Sequence, residues 1–292
     1  MIFGIPLQAF LGQLLVGLIN GSFYALLSLG LAVIFGLMRV INLAHGEFIM
    51  LGAYCCVFSV KAGMPLWAAF AVSALAIGVF GVFVERVIIR HLYGRLVDTL
   101  LATWGLSLFI VGAVTTFLGP QGQGIATDFG NISVGSLNLS VYNLILSAIA
   151  LGMLAVTWVL ARHTRFGLLI RGTMQNAEIA SAMGVSPDRV YMVTFGFGSA
   201  LAGLAGAVLV PLTGVSPTLG LAFVAKAFIT VITGGQLPLI GTATASALFG
   251  TIDGILAYVY SSVVGEVGLL IVAVIVLRLL PSGITGRMRS GL

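Results

Sequence analysis

The sequence predicts an all-α protein in which residues 1–292 form a single domain, a polytopic bundle of transmembrane helices. Two compositional observations predict this class. Hydrophobic residues make up 60% of the chain and charged residues 7%, against roughly 45–50% and about 25% in soluble domains. Several uncharged runs also exceed the roughly 20 residues needed to cross a bilayer. A soluble domain could not bury this much apolar surface.

Nine hydrophobic segments follow one another along the chain. They are residues 7–37, 48–60, 66–84, 100–118, 142–161, 190–212, 221–233, 238–260 and 263–280. The segments 48–60 and 221–233 are short for a full span, and segment 7–37 forms either one tilted helix or two pieces broken near Asn20. Short segments interrupted by glycine are typical of broken or re-entrant helices that line a pathway. We therefore expect roughly eight to ten crossings, some of them broken or re-entrant.

Basic residues predict how these helices are oriented. Ten of the thirteen lie in a loop at 86–95, in a polar segment at 162–189 and near the C-terminus: Arg86, Arg90, Arg95, Arg162, Arg165, Arg171, Arg189, Arg278, Arg287 and Arg289. The positive-inside rule places these regions in the cytoplasm. The loops at 61–65, 119–141 and 213–220 then face outward, with Lys61 as their only basic residue. Because the charge is spread over short loops, it does not indicate nucleic-acid binding.

Small residues recur at helical spacing in two of the segments, at positions 199, 203 and 207 and at positions 242, 246, 250 and 254. In a bilayer such ridges let helices approach closely. The adjacent Cys55 and Cys56 are interpreted as apolar packing residues, since neighbouring cysteines rarely meet disulfide geometry. The three histidines are far apart in sequence and lack cysteine partners, so we predict no metal site, and no cofactor is implied.

The polar segment 162–189 holds six charged residues, whereas residues 129–161 and 191–225 hold none. Within it, the sequence predicts a short helix over residues 175–183. Thr173 or Asn176 would cap its start, and Gly184 would end it in a left-handed conformation. Ser186 and Pro187 then begin the next helix. The alanines at 177, 180 and 182 are too small to anchor a helix in lipid but would fit a protein groove. This favours docking of a soluble partner over an interfacial helix without a partner.

A second polar feature is the segment 42–47, which contains Asn42, His45, Gly46 and Glu47. Such side chains are costly in lipid and usually face protein or a water-filled cavity. Two interpretations stay open: the segment lines a translocation pathway, or Glu47 caps backbone N–H groups and holds a helix break in shape. Asp253 is another ionisable residue within a span, either lining the pathway or making an interhelical hydrogen bond.

The polar segment also carries a family resemblance. Glu178, Ala180 and Gly184 resemble the Glu-Ala-Ala-x-x-x-Gly loop of ABC importer permeases, with Ile179 in place of the first alanine. The residues at 164–167 (TRFG), 183–185 (MGV), 195–206 (FGFGSALAGLAG), 38–47 (MRVINLAHGE) and 51–54 (LGAY) resemble the permeases of the branched-chain amino acid importer family. This resemblance covers nearly the whole chain. It implies that residues 162–189 form a cytoplasmic coupling loop that docks an ATPase subunit, through Arg171, Gln175, Asn176, Glu178, Ala180 and Gly184.

A local resemblance points to a different cargo. Residues 90–95 (RHLYGR), 100–108 (LLATWGLSL) and 117–120 (FLGP) are similar to the urea and short-amide branch of the family, although residues 234–241 depart from it. The family as a whole favours branched-chain amino acids, and urea or a short amide is the alternative cargo.

The resemblance further implies the partners and the location. We expect two ABC ATPase subunits, a homologous permease that forms a heterodimer with this chain, an extracytoplasmic substrate-binding protein and a bacterial inner membrane. The chain has no G-x-x-x-x-G-K-[ST] motif, and its only lysines are Lys61 and Lys226, so ATP hydrolysis is expected in the partner subunits. Two other classes are less favoured. An ion-coupled transporter would lack the coupling loop, and an intramembrane enzyme would need a catalytic constellation that the sequence does not contain.

Overall fold

The structure, a computed structural model, describes residues 7–127, 129–134 and 137–286. These residues form eleven α-helices, a 3-10 turn at Ile89–Leu92 and one antiparallel hairpin, which confirms the predicted all-α class apart from the hairpin. Arg287 and Arg289, which contributed to the predicted orientation, lie outside the described residues. The elements are α1 (Leu7–Met38), α2 (His45–Lys61), α3 (Leu66–Val87), α4 (Leu96–Leu118), β1 (Asn131–Val134), β2 (Leu137–Ser140), α5 (Val141–His163), α6 (Arg165–Gln175), α7 (Ala177–Ala182), α8 (Pro187–Thr213), α9 (Leu219–Gly234), α10 (Pro238–Val259) and α11 (Ser262–Leu279).

Seven of the helices in the described residues are long and apolar enough to cross a membrane, namely α1, α3, α4, α5, α8, α10 and α11. The two segments predicted to be short are α2 and α9, with 17 and 16 residues. Helix α1 continues for 32 residues through Asn20, so the break considered there does not occur. The next residue, Gly21, allows α1 to pack closely against α10, because a Cβ on it would lie 2.9 Å from the carbonyl oxygen of Ser246.

The chain divides into two compact units. One comprises Met1–Ser28, Thr127–Leu154 and Ala227–Leu292, and the other comprises Leu29–Ala126 and Ala155–Lys226. We call them the first and the second unit. The cytoplasmic and helix-break segments singled out in the sequence, 162–189 and 42–47, both belong to the second unit.

In the first unit, α1 and α10 meet along the small residues of the second predicted ridge. A Cβ on Gly17 would lie 2.6 Å from the Cα atom of Thr251, and one on Gly254 would lie 3.1 Å from the Cα atom of Gly17. Beside this contact, Tyr24, Phe249 and Leu269 belong to a buried hydrophobic cluster. The ridge therefore packs helix against helix, as predicted.

In the second unit, α8 packs against α2 and α3 through the first predicted ridge. A Cβ on Gly203 would lie 2.6 Å from the Cβ atom of Ile77 on α3, and one on Gly52 of α2 would lie 2.5 Å from the Cα atom of Gly203. Phe48 fills the space beside this contact, edge-on to Phe80 and Phe195 at 5.4 and 6.2 Å between ring centroids. Helices this close leave no room for side chains larger than hydrogen at the crossing points.

The loops predicted to face outward contact one another. The Lys61 ammonium donates to Gln123 Oε1 at 2.7 Å, and Gln123 and Val215 exchange backbone hydrogen bonds of 2.8 and 2.7 Å. The loop at 119–141 also contains the β1–β2 hairpin, which the sequence analysis did not predict. In the same unit, the loops predicted to be cytoplasmic are joined by the Arg90–Asp188 ion pair. Both groupings agree with the orientation inferred from the basic residues.

Candidate functional site

The polar segment 162–189 folds as two helices rather than one. The sequence predicted a helix over 175–183, but Gln175 is the last residue of α6 and the short helix α7 begins at Ala177. Asn176 separates them in an extended conformation, and its Oδ1 accepts the backbone N–H groups of Glu178 and Ile179, each at 3.0 Å. Asn176 is therefore the N-cap, one of the two alternatives predicted, while Thr173 is buried within α6.

The end of α7 and the start of α8 follow the prediction. Gly184 has φ +85°, a conformation that only glycine adopts without strain. Its N–H donates to the Ser181 carbonyl at 2.9 Å, and the next N–H, of Val185, donates to Ala180 at 3.0 Å. Ser186 is the N-cap of α8 and Pro187 its first residue, although the Ser186 side chain makes no capping hydrogen bond.

Arg171 fixes α6 to the end of α5. Its guanidinium donates to the carbonyl oxygen of Ala161, one of the last residues of α5. Thr164 stands between the two helices, where its hydroxyl donates to Leu160 at 2.6 Å and accepts from the Gly167 N–H at 3.2 Å. These bonds satisfy backbone groups that helix ends leave open. Arg171 thus holds α6 against the end of α5, and this contact gives Arg171 a structural role.

The three alanines predicted to face a partner differ in exposure, since Ala182 is exposed, Ala177 is partly exposed and Ala180 is buried. Ala180 is only 8% exposed and packs against this chain. Ile179 and Met183, by contrast, are 59% and 79% exposed. Glu178 lies beside them at the surface. Two large apolar side chains next to a carboxylate on a projecting helix form a small surface suited to a protein partner. We call Glu178, Ile179, Met183 and Gly184 the docking surface.

The second polar segment is the connection between α1 and α2. Arg39 has φ +53° at the end of α1, which turns the chain. The Oδ1 atom of Asn42 accepts the Ala44 N–H at 3.1 Å, and the Asn42 carbonyl accepts the His45 N–H at 3.2 Å. Thr103 of α4 accepts the Leu43 N–H at 3.1 Å. The break between the helices is therefore held by Asn42 and Thr103.

Glu47 does not cap this break. Helix α2 begins at His45, three residues earlier than predicted, so Glu47 lies within its first turn. The side chain is fully buried, and neither carboxyl oxygen has a hydrogen-bond partner of normal geometry among the described residues. The hydroxyl of Ser107 on α4 is the side-chain donor that acts on it. The N-cap of α2 is Ala44, which no side chain caps, and the Asn42 amide oxygen stabilises the turn before the helix by accepting the Ala44 N–H.

Gly46 makes the closest contact of the segment. A Cβ on Gly220, near the start of α9, would lie 2.7 Å from the Gly46 carbonyl carbon and 2.8 Å from the Glu47 backbone nitrogen. His45 is buried on the other side, and its Cε1 atom would lie 3.0 Å from a Cβ on Gly30 of α1. The residues Asn42, His45, Gly46 and Glu47 are thus brought together in one buried site. The first turns of α2 and α9 meet there.

Asp253 belongs to the first unit. Its Oδ2 atom accepts from the Tyr24 hydroxyl at 3.3 Å, which links α10 to α1. Its Oδ1 atom would lie 2.5 Å from a Cβ on Gly265 of α11. Of the two interpretations of Asp253, the interhelical hydrogen bond is the one this geometry supports.

Sequence reasoning missed several residues of the site. Thr103 and Ser107 are buried together with Thr99 on one face of α4, and their spacing of four residues could have revealed this polar stripe. Gly220 gives no such signal, because its role depends on a contact with a residue far away in sequence. Ile179 and Met183 were passed over because the alanines around them dominate the composition of α7.

Residues 13–280 match the family model described as branched-chain amino acid transport system / permease component. The chain is similar to the high-affinity branched-chain amino acid transport system permease protein LivH of Escherichia coli K12, with 31% identity over 95% of this chain and 96% of that protein. It is 30% identical, with the same coverage, to the permease protein BraD of Pseudomonas aeruginosa. A probable LivH of Methanocaldococcus jannaschii is 23% identical over 92% of this chain and 90% of its own length. No solved structure gives a significant match.

Proposed function

Because the chain belongs to the family of branched-chain amino acid transport permeases, we propose that it is the membrane subunit through which an ATP-driven importer moves branched-chain amino acids into the cell. The chain is a multi-pass protein of the bacterial inner membrane and a transport subunit rather than a catalytic enzyme. The proposed cargo rests on one observation. Over nearly the full length of both chains, this protein is similar to permeases named for high-affinity branched-chain amino acid transport.

The docking surface is where an ATPase subunit would bind in this proposal. Helix α7 presents Ile179 and Met183 to solvent beside the exposed Glu178. Gly184 ends the helix and leads directly into α8. Movement of α7 by a bound ATPase subunit would therefore be transmitted to the membrane-spanning helix α8 through the short connection between them. Arg171 and Asn176 hold α6 and α7 in place through their hydrogen bonds, and Ala180 is buried behind the surface. Gln175, the exposed last residue of α6, extends the proposed coupling surface.

The remaining subunits follow from this assignment. We assign ATP hydrolysis to two ABC ATPase subunits on the cytoplasmic side. We assign the second half of the membrane pathway to a homologous permease, and delivery of cargo to an extracytoplasmic substrate-binding protein. The outward loops joined by Lys61, Gln123 and Val215 are the surface on which that binding protein would dock.

The buried site at 42–47 supports the pathway in this proposal. Asn42 and Thr103 fix a break between α1 and α2, and broken helices with backbone at membrane depth occur where they border a pathway. We assign Asn42, His45, Gly46 and Glu47 to this break. We assign Asp253 to the structural link between α10 and α1.

The cargo can be tested with the substrate-binding protein encoded beside this chain. An amino acid carries a charged ammonium and a carboxylate, whereas urea is neutral, so one binding pocket does not suit both. Titration of the purified binding protein with leucine is expected to show tight binding, and titration with urea none. Tight binding of urea without binding of leucine would contradict the proposed cargo.

A further inference from the structure

The loop at 88–95, between α3 and α4, lies against the first turn of α8. Arg90 Nη2 and Asp188 Oδ2 are 2.5 Å apart, and Asp188 is the second residue of α8. One turn later, the ring of Tyr191 lies 4.8 Å from the ring of Tyr93, measured between centroids. Arg90 and Tyr93 belong to the sequence at 90–95 whose resemblance to the urea branch the proposed cargo leaves unexplained. Their contacts suggest a mechanical role instead.

The same loop is fixed to α3. The Tyr93 hydroxyl donates to Glu85 Oε1 at 2.5 Å, and the Glu85 side chain, near the end of α3, is almost fully buried. Burial raises the pKa of the Tyr93 hydroxyl, and the hydrogen bond to Glu85 raises it further. The hydroxyl therefore stays protonated and remains a donor. An exposed ion pair alone contributes little, so the buried Tyr93–Glu85 contact is the stronger of the two attachments.

The loop is also fixed to α4, and α4 leads to the helix break. The Thr99 hydroxyl donates to the carbonyls of Arg95 and Leu92 at 2.8 and 3.1 Å. One turn along the same face, Thr103 accepts the Leu43 N–H at 3.1 Å, in the connection that begins α2. Packed and hydrogen-bonded groups therefore run without interruption from α7 through the start of α8, the loop and α4 to the break at 42–47.

We propose that the loop at 88–95 is a brace that transmits movement of the docking surface through α4 to the start of α2, with Arg90 and Tyr93 as positioning residues. The inference rests on the proposed function, since it presumes an ATPase that moves α7 when ATP binds. It adds the internal route by which that movement reaches the buried site. The route lies entirely within the second unit.

The chain carries its own reporter for this route. Cys55 and Cys56 are its only cysteines and both lie on α2, with Cys55 partly exposed and Cys56 buried. The experiment uses the complete complex with its ATPase subunits. It measures the rate at which N-ethylmaleimide modifies these cysteines with and without ATP, quantified on the peptide that contains them. The readout does not depend on the identity of the cargo.

In the wild-type complex we expect ATP to change the modification rate. In Tyr93→Phe and in Arg90→Ala, the ATP-dependent change is expected to shrink by on the order of fivefold, the lower end of coupling effects between sites, while the ATPase subunits co-purify in normal amounts. Arg95→Ala removes a nearby exposed arginine whose side chain, within the described part of the chain, forms an ion pair with Asp98 alone, and Tyr260→Phe removes an exposed hydroxyl. Both controls should respond as wild type. Exchanging the pair, with Arg90→Asp and Asp188→Arg together, should restore the response lost in Arg90→Ala.

A normal ATP response in both Tyr93→Phe and Arg90→Ala would overturn the inference. So would a wild-type α2 that does not respond to ATP, or loss of the ATPase subunits from the variants, since the loop would then act on docking itself. Failure of the proposed function is distinct. It would show as absence of leucine uptake by a wild-type complex whose α2 still responds to ATP.

Discussion

Glu47 is a fully buried acid at the start of α2, and its surroundings define what can replace it. Besides Asn42, Thr103, Ser107 and the backbone of Gly220, the site contains the buried and titratable side chain of His45. An unpaired charge in such a place is costly. We therefore expect the volume and the hydrogen-bonding capacity of the buried Glu47 side chain to matter more than its charge.

Glu47→Gln should accordingly be tolerated better than Glu47→Ala. The amide has nearly the same volume and still accepts hydrogen bonds, whereas alanine leaves a cavity and removes the polar group. We expect Glu47→Gln to keep membrane abundance and most uptake, and Glu47→Ala to lose abundance. Immunoblots of membranes alongside leucine uptake distinguish the two. Equal loss of uptake in both variants at normal abundance would instead assign the carboxylate to passage of the cargo.

Gly220 is a residue at which a single methyl group has a large effect. A Cβ there would lie 2.7 Å from the Gly46 carbonyl carbon, and backbone atoms in two helices cannot move aside as a flexible side chain would. We expect Gly220→Ala to destabilise the protein by about 1–3 kcal/mol, the usual cost of overpacking. Thermal unfolding in detergent measures this.

Gly105→Ala provides the matched control for Gly220→Ala. Gly105 lies within α4, and a Cβ there would meet nothing within 4 Å. Alanine also has the higher helix propensity, so this variant should be as stable as wild type or slightly more stable. Equal unfolding temperatures for Gly220→Ala and wild type would show that α2 and α9 can separate at this point.

At the scale of elements, α7 is the shortest α-helix in the described part of the chain, and it exposes Ile179 and leads into the exposed Met183. Its six residues are too few to be stable alone. The Asn176 cap and the Gly184 turn hold it in place. This exposure is what the proposed docking of an ATPase subunit on α7 requires.

Substitutions on the docking surface should therefore release the ATPase without unfolding the protein. Met183→Asp places a charge where an apolar contact is proposed, Glu178→Lys reverses a charge, and Gly184→Pro removes an N–H at a position with φ +85°. We expect each to abolish co-purification of the ATPase subunits and uptake, at normal membrane abundance. Met64→Asp, at an exposed methionine far from α7 in sequence, is the matched control and should retain co-purification of the ATPase subunits. Normal co-purification with all three variants would exclude α7 as the docking helix.

Most of the elements could be predicted from the sequence, because each long apolar run must become a helix in a membrane. What could not be predicted depends on distant contacts. Asn20 and Gly21 look like a local break, but close packing of Gly21 on Ser246 keeps α1 continuous. Gln175 favours a helix on either side of Asn176, and only the capping bonds decide that it ends α6. Capping by Glu47 stayed open as one of two interpretations because the start of α2 was placed three residues late.

At the scale of the whole molecule, the sequence identified a transporter subunit more readily than its cargo. The polar segment 162–189 and the family motifs span the chain, so the class follows from many residues. The polar groups at the proposed helix break, such as Asn42, Thr103 and Ser107, do not by themselves identify a cargo. Neutral donors and acceptors of this kind suit an amino acid or urea alike. The proposed cargo therefore rests on similarity to relatives named for branched-chain amino acids and not on the local motif at 90–95.

Reconstitution of the complex in vesicles tests the central claim most directly. The chain is placed in proteoliposomes with its homologous permease, the ATPase subunits, internal ATP and the external binding protein, and accumulation of radiolabelled leucine is measured. The account predicts accumulation that requires both ATP and the ATPase subunits and does not respond to an imposed proton or sodium gradient. Accumulation driven by such a gradient in vesicles that lack the ATPase subunits would contradict it.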